Sequence, residues 1–470
     1  MNELLANNPL LLLFLVAAVG YFVGKVKVKG NSLGVSAVLF VGLAFGAVNP
    51  SYNVPPILFQ LGLVFFVYSV GLSSGPAFFQ SFRNNGARDI GFVMTMLSTT
   101  ALIAVALWYV MGFDVASITG IYSGSSTNTP ALASVIDLVK RRGEASQSVK
   151  DALVIGYTYS YPMGVLGVML VLKVMERVFK IDYNEEKKQL RKDYPIEEEL
   201  SSISVKITNA AVIGSTIRDV INREDLEILF GRISKGEDVA LAIWDTVLEQ
   251  DDILMIIGGV DELKKAIPLF GHETDNNISY DRKEYDVRRI FVSNHRVVGK
   301  TISSLNLSKK YSAVITRIRR GDIDMLAKAN TFLEMGDRIR FVARRQDLKG
   351  LSTLFGDSYY NSSSINLFSF GLGIALGLLL GSIEIALPGG TNFKLGMAGG
   401  PLIVGLLLGA LRRTGPIVWT LPYGANITLR QIGLIFLLAV IGLSSGNKVF
   451  ESLESPLWIN VLLSHFDSFI

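Results

Sequence analysis

QLGLVFFVYSVGLSSGPAFFQSF occupies residues 60–82, and QIGLIFLLAVIGLSSGNKVFESL occupies residues 431–453. The two stretches align without a gap at a constant offset of 371, with 11 of 23 positions identical. Each is an apolar run closed by Gly-Leu-Ser-Ser-Gly. A repeat of this length means that the chain holds two related halves. Both copies lie in sequence apolar enough for a membrane. Glycines beside serines at the end of such a run predict a helix that breaks at membrane depth. A bilayer tolerates a break only where the freed backbone faces protein or a wet cavity. Paired repeats with interrupted helices are a recurring plan of membrane transporters.

Outward from these stretches, composition sets the organisation. The chain has 470 residues, half of them hydrophobic, and no cysteine, which excludes disulfides and thiolate metal sites. Mean hydropathy is +0.40, high for a soluble protein. His272, His295 and His465 are far apart, so no histidine-rich metal signature exists. The net charge of +4 is small but unevenly placed. Residues 181–360 carry 58 of the 86 charged side chains, and the other 290 residues carry 28. The pattern predicts a membrane segment, a soluble insert and a second membrane segment.

Residues 8–24 read as a first span with its basic end, Lys25, Lys27 and Lys29, inside. Spans follow at 32–48, 57–75 and 90–112, with Arg83 and Arg88 marking a cytoplasmic turn. The stretch FDVASITGIYSGSSTNTPALASVIDLV, residues 113–139, differs from an ordinary membrane helix. Gly124 and Pro130 oppose helix continuity, and Ser123 to Thr129 bring hydroxyl and amide groups. This is either a polar loop outside the membrane or a broken, re-entrant helix lining a site. The small apolar flanks and hydroxyl density favour the second. In YTYSYPMG, Tyr157, Tyr159, Tyr161 and Pro162 either line a path or sit at an interface. Basic turns at 25–29, 83–88, 140–150 and 173–192 all favour the cytoplasm, which predicts five crossings and one re-entrant piece in this half. Apolar segments return at 363–387, 395–412 and 428–446.

The insert is itself a duplication, at an offset of 85. Gly214 matches Gly299, Arg232-Ile233 matches Arg317-Ile318, Gly236 matches Gly321, and Asp252 matches Asp337. Strand-like runs such as DILMIIG at 252–258 and DRIRFVA at 337–343 precede short helical stretches, predicting two small α+β modules. The Rossmann glycine fingerprint is absent, so nucleotide binding by the insert is not supported.

The two GLSSG elements at 71–75 and 442–446, GSSTNTPAL at 124–132 and RRTGPIVWTLPYGANITLRQIGL at 412–434 resemble the aspartate:alanine exchanger family of bacterial secondary transporters. The two modules resemble the C-terminal subdomain of the RCK regulators of potassium transport. The resemblance covers nearly the whole chain. It implies an α-helical polytopic membrane protein with two inverted-repeat halves and a central cytoplasmic α+β insert of two RCK-C-like modules. The expected divisions are 1–180, an N-terminal transmembrane repeat; 197–271 and 283–356, the two modules; and 363–470, a C-terminal transmembrane repeat. Only 24 residues follow the second GLSSG and none resembles GSSTNTPAL, so the second half is expected to be incomplete by about two spans.

The family implies exchange or export of small carboxylates, including acidic amino acids and dicarboxylic acids, across the inner membrane. An anionic substrate is met at low cost by helix N-termini and hydroxyl donors. The expected substrate-binding residues are therefore Ser73, Ser74, Gly124, Ser125, Ser126, Thr127, Asn128, Thr129, Ser444 and Ser445. For the GLSSG serines the competing reading is close helix packing by small residues. Arg430 either pairs with a substrate carboxylate or marks topology. The expected partners are the substrate, the lipid bilayer and a second copy as a homodimer. No nucleic acid, cofactor or metal is expected. The alternative is an RCK-regulated monovalent cation channel or cation:proton antiporter. Carboxylates outside the insert fall mostly at segment ends, which weakens it. A membrane enzyme is disfavoured, because no nucleophile–histidine pair lies in the spans.

Overall fold

The computed structural model describes residues 2–27, 32–52, 54–140, 146–182, 186, 200–223, 226–236, 238–275, 284–321, 323–387 and 391–454. The chain divides into two compact units. One comprises Met1–Ile181, Leu367–Leu411 and Asn426–Ile470, and the other comprises Asp182–Asn366 and Arg412–Ala425. The sequence reading assigns all of 363–470 to the membrane. The structure instead gives 412–425, the connection between two membrane helices, to the soluble unit.

The membrane unit is helical. Its first elements are α1 (Asn2–Asn7), α2 (Pro9–Gly24), α3 (Ala37–Val48), α4 (Pro56–Met111), α5 (Val115–Ser125), α6 (Thr129–Lys140) and α7 (Ser146–Val178). Three later helices, Leu367–Ser382, Gly396–Leu411 and Tyr423–Glu454, follow the insert. Among the described residues Pro56–Phe82, Gly86–Met111 and Tyr423–Ser444 are long and apolar enough to cross a bilayer. Pro9–Gly24, Gly34–Val48, Leu367–Ser382 and Gly396–Leu411 are shorter apolar helices.

Two expectations are corrected here. The 56-residue α4 runs through both GLSSG and Arg83–Arg88 without a turn, and the Tyr423–Glu454 helix runs through the second GLSSG. At 1.5 Å per residue α4 is about 84 Å long. The glycines do not break these helices because each is a packing site. A methyl group at Gly71 would lie 2.6 Å from the Leu402 carbonyl oxygen, and one at Gly75 would lie 2.2 Å from that of Leu406. Reciprocally, one at Gly405 would lie 3.2 Å from the Gly71 Cα, and one at Gly409 would lie 2.3 Å from the Leu72 oxygen. The second copy does the same against α3. Gly442 and Gly446 abut the Leu39 and Leu43 carbonyls at 2.5 and 2.2 Å by the same measure, opposite Gly42 and Gly46. Small residues four apart let helix backbones touch where lipid supplies no hydrophobic drive. The repeat-equivalent Gly62 and Gly433 meet each other, each within 2.8 Å of the other's carbonyl oxygen on this measure.

The soluble unit contains two large sheets, besides a two-stranded pair of Arg413–Thr414 with Ile417–Val418. The first module carries β1 (Leu200–Ile207), β2 (Ile228–Lys235), β3 (Asp238–Leu241), β4 (Ile253–Gly259) and β5 (Gly271–Glu273), in the order β3-β2-β4-β1-β5. The second carries β6 (Tyr285–Phe291), β7 (Ala313–Arg320), β8 (Ile323–Leu326) and β9 (Arg338–Arg344), in the order β6-β9-β7-β8. Read from the other edge, the second order matches the first four strands of the first. Every strand pair in both sheets is antiparallel. One face of each sheet is core. Val205, Ile233, Leu254 and Phe270 fill the first, and Ile290, Ile318, Ile339 and Phe355 fill the second. The opposite faces meet through Leu200, Met255, Ile257 and Leu326, and through Leu241, Tyr285 and Val342.

The match at offset 85 extends to single hydrogen bonds. The Asn209 amide donates to the Leu269 carbonyl at 2.8 Å, and that of Asn294 to the Leu354 carbonyl at 2.9 Å. The Glu249 backbone N–H donates to Asp252 at 2.9 Å, and that of Glu334 to Asp337 at 2.8 Å. Expected residues 197–199 and 283 of the module boundaries lie outside the described residues.

Candidate functional site

The helix does break at 126–128. Asp114 caps the start of α5 by accepting from the Ser117 N–H at 2.9 Å. At the other end the Thr127 N–H donates to the Gly124 carbonyl at 2.9 Å, and the Asn128 N–H to that of Ser123 at 2.8 Å. This paired closure normally has glycine in the left-handed position. Here it has Thr127, with φ +50°. A β-branched residue in that region is strained, and such strain persists only when the surroundings hold it. α6 then starts at Thr129, and the Asn128 carboxamide oxygen accepts from the Ala131 N–H at 3.1 Å. Asn128 thus satisfies one orphan donor of α6 and keeps its own amide N–H groups available.

The hydroxyls are spent locally. Ser126 donates to the Tyr122 carbonyl at 2.7 Å, Ser125 to the same carbonyl at 3.2 Å, and Ser123 to that of Thr119 at 2.9 Å. Ser125, Ser126, Thr127 and Asn128 are exposed, whereas Gly124 is buried. A methyl group at Gly124 would stand 2.1 Å from the Ser160 Oγ and 2.4 Å from the Tyr157 carbonyl oxygen. One at Gly164 would stand within 2.8 Å of both the Gly124 and Ser125 carbonyl oxygens. So α7 presses on the carboxyl end of α5 and holds the break from that side. Tyr157 and Tyr161 are buried, with ring centroids 5.2 Å apart, and Tyr161 meets the Ser36 hydroxyl at 3.0 Å. They are core residues rather than path-lining ones, and Tyr159 is exposed.

The GLSSG serines are placed separately. Ser73 donates to the carbonyls of Ser69 and Val70 at 3.0 and 3.1 Å. Ser74 and Ser444 are exposed on their helices. Among the described residues no hydrogen bond joins Ser73 or Ser74 to Ser125–Asn128. Thr129 and Ser445 lie in α6 and the Tyr423–Glu454 helix, but their side chains fall outside the described set. Arg430 is exposed in the same helix as Ser444. The close-packing reading therefore accounts for the glycines of GLSSG, while the break gathers five of the expected residues, Gly124–Asn128.

The soluble unit holds residues that the sequence reading missed. Arg320 hydrogen-bonds both oxygens of Asp337 at 2.8 Å and Glu334 at 2.7 Å. Burial alone would lower the Arg320 pKa, but the bonds and charges of Asp337 and Glu334 outweigh it and hold it above its usual value. Burial, with Asp337 close by, raises Glu334 against the pull of Arg320 and Arg412. The first module repeats the arrangement with Lys235, Glu249 and Asp252. Matching charges at offset 85 could have revealed both. Arg412 stacks on the Phe332 ring at 4.1 Å, and Arg413 donates to the Val298 carbonyl at 2.8 Å. Val418 enters the second module's core. The 412–425 connection is thus tied into that module.

A helical unit with apolar helices long enough to cross a bilayer, interrupted at a polar segment and joined to a soluble α+β unit, has the make-up of a membrane transporter with an attached regulatory domain. The family comparison agrees. Residues 12–177 and 369–466 match the family described as "Predicted Permease Membrane Region", Asp-Al_Ex, and residues 287–356 match the TrkA-C domain. The chain belongs to this aspartate:alanine exchanger family. It is 44% identical over 450 residues to an uncharacterized transporter of Geobacter sulfurreducens, covering 95% of this chain and 82% of that one. It is 42% identical to one of Symbiobacterium thermophilum, covering 97% and 84%. A Bacteroides fragilis relative is 33% identical, covering 94% and 81%. Among solved structures, the crystal structure of the GsuK RCK domain aligns with 34% of this chain and 64% of that one. The identity is 10% and the TM-score 0.18, too low to speak for the fold.

Proposed function

We propose that the protein is a secondary transporter that exchanges or exports small carboxylates, acidic amino acids or dicarboxylic acids, at the break between α5 and α6. One observation carries this reading: Thr127 is held in the left-handed region at a helix break whose following helix offers its N-terminus beside the exposed Asn128 amide. A helix N-terminus and an amide donor suit a carboxylate without burying a cation. Gly124–Thr129 form the centre of the site. Ser73, Ser74, Ser444, Ser445 and Arg430 contribute from the GLSSG helices. Reciprocal glycine crossings at equivalent positions support two inverted-repeat halves, spanning 1–180 and 363–411 with 426–470. The shared hydrogen bonds at offset 85 support two RCK-C-like modules at 197–271 and 283–356. The protein is multi-pass in the inner membrane with its insert in the cytoplasm. The uncovered Gly86–Met111 segment supports a homodimer.

The test is flux in proteoliposomes loaded with labelled aspartate or succinate, with rubidium in parallel. Asn128→Ser keeps a capping oxygen and removes the amide donors, so it separates a substrate role from a structural one. Loss of one hydrogen bond to a charged ligand should weaken half-saturation roughly 10- to 150-fold. Rubidium flux without carboxylate flux would establish the cation reading. Carboxylate flux with native half-saturation in a well-folded Asn128→Ser would remove the break from the site.

A further inference from the structure

The face of the second module's sheet turned toward the first module carries a charge arrangement that folding alone does not favour. Register places Arg289 opposite Arg340 on β6 and β9, and Arg340 opposite Arg317 on β9 and β7. One step along, Arg338 faces Arg319, and Arg319 faces Asp324. Like charges directly opposite each other destabilise a sheet. These six side chains line one cavity of about 80 Å³, and Asp324 is the one carboxylate among the described residues that line it. Among the described residues none of Arg289, Arg317 and Arg340 has a hydrogen-bonded carboxylate. A register shift between Ile315 and Arg317 marks a bulge in β7, and β2 of the first module carries its counterpart between Phe230 and Ile233, so the bulge itself belongs to the shared fold. Burial and the neighbouring arginines both push Arg317 and Arg340 below the usual guanidinium range, with Asp324 opposing for Arg317.

The first module does not share the feature. At offset 85 it has Ser204, Arg232, Ser234, Ile253 and Met255 where the second has Arg289, Arg317, Arg319, Arg338 and Arg340. Four of the five arginines, Arg289, Arg319, Arg338 and Arg340, are therefore particular to one copy, and Arg317 is shared with the first module as Arg232. Those four do not belong to the packing that the two copies share. A second small cavity, lined by Ser202, Met255 and Ile257 together with Arg317 and Arg340, puts the cluster at the seam between the modules.

We propose that the arginine face of the second module is a binding site for a small phosphate-bearing polyanion, a diphosphate or a ligand carrying one. Adjacent strands are about 4.8 Å apart, so the row Arg289–Arg340–Arg317 spreads its charge over about 10 Å. That spread exceeds one oxyanion and fits two linked phosphates. The guanidinium fork matches phosphate oxygens bidentately. Occupancy removes the repulsion across the row and stiffens the seam between modules. The second module also anchors 412–425, the connection between the helices Gly396–Leu411 and Tyr423–Glu454.

The test uses the full chain in detergent and measures its thermal midpoint against pyrophosphate at constant ionic strength, with chloride as the balance. Wild type should show a saturable rise. Arg340→Gln, in the centre of the row, should raise the midpoint without ligand by relieving repulsion and weaken the pyrophosphate response at least about tenfold. Arg288→Gln, whose side chain pairs with Asp286, should change neither. The proposal is overturned if wild type responds no more than to chloride, or if Arg340→Gln responds like wild type. It is equally overturned if Arg340→Gln changes oligomeric state by light scattering while pyrophosphate does nothing, since the face would then be a protein contact.

Discussion

The glycine crossings give the sharpest prediction. Gly75→Ala places a methyl group 2.2 Å from the Leu406 carbonyl oxygen and 2.9 Å from the Ala410 nitrogen. Gly446→Ala, its repeat equivalent, places one 2.2 Å from the Leu43 oxygen and 2.7 Å from the Ala47 nitrogen. The obstacles are backbone atoms of neighbouring helices, so no side chain can swing aside. A carbon–oxygen contact is comfortable at about 3.3 Å, so each crossing must open by about 1 Å. Forced overpacking of this kind typically costs 1–3 kcal/mol. Alanine's better helix propensity returns up to about 1 kcal/mol, so a control is needed. Gly371→Ala supplies it: Gly371 lies in the Leu367–Ser382 helix and has nothing within 4 Å of an added methyl group. The assay is the temperature at which the monodisperse chromatographic peak is lost in detergent. Gly75→Ala and Gly446→Ala should each melt at least about 2 °C below Gly371→Ala. Ser73→Ala should sit near wild type, because its hydroxyl bonds only to its own helix. If both crossing variants melt with the control, the GLSSG glycines are not packing residues, and the argument for continuous helices fails with them.

Three further outcomes are expected. Thr127→Gly should raise the melting midpoint by relieving about 1 kcal/mol of left-handed strain while lowering carboxylate exchange; a lowered midpoint would show that the threonine is not strained. Asp337→Ala should cost about 3–5 kcal/mol, because it leaves Arg320 buried with one partner fewer, whereas Asp252→Ala should cost about 1 kcal/mol, because Lys235 reaches water; equal losses would refute the distinction. Burial and the neighbouring Arg413 hold the His295 pKa below its usual 6.5. The neutral ring is therefore the folded-state form, so its contribution is present above pH 6.5 and is lost as pH falls through the depressed value. His295→Gln should flatten the melting temperature between pH 7 and pH 5, and an unchanged acid slope would remove His295 from the account.

Much of the architecture was legible in one dimension. Hydropathy and charge separated a membrane part from an insert, because a bilayer excludes charge over whole segments. The offsets of 371 and 85 announced duplications, and at the second the hydrogen bonds of Asn209 and Asn294, and of Glu249 and Glu334, correspond. The polar break was also readable, since Gly124, Pro130 and a run of hydroxyls have no stable place in an unbroken membrane helix. What composition could not settle was the meaning of a glycine. Gly71 and Gly75 predict a break when read along the chain, but breaking or packing depends on what stands opposite. That neighbour, Gly405 to Gly409, lies more than 300 residues away in sequence. The same limit hid the arginine face. Arg289, Arg317 and Arg340 are scattered charges in sequence, and only antiparallel pairing of β6, β9 and β7 sets them side by side. Likewise 412–425 looks like a loop between spans until Val418 is found in the second module's core. Local propensity and hydropathy act over one to a few turns of chain and can be read there. Close approach and cross-strand charge exist only once distant segments have been brought together.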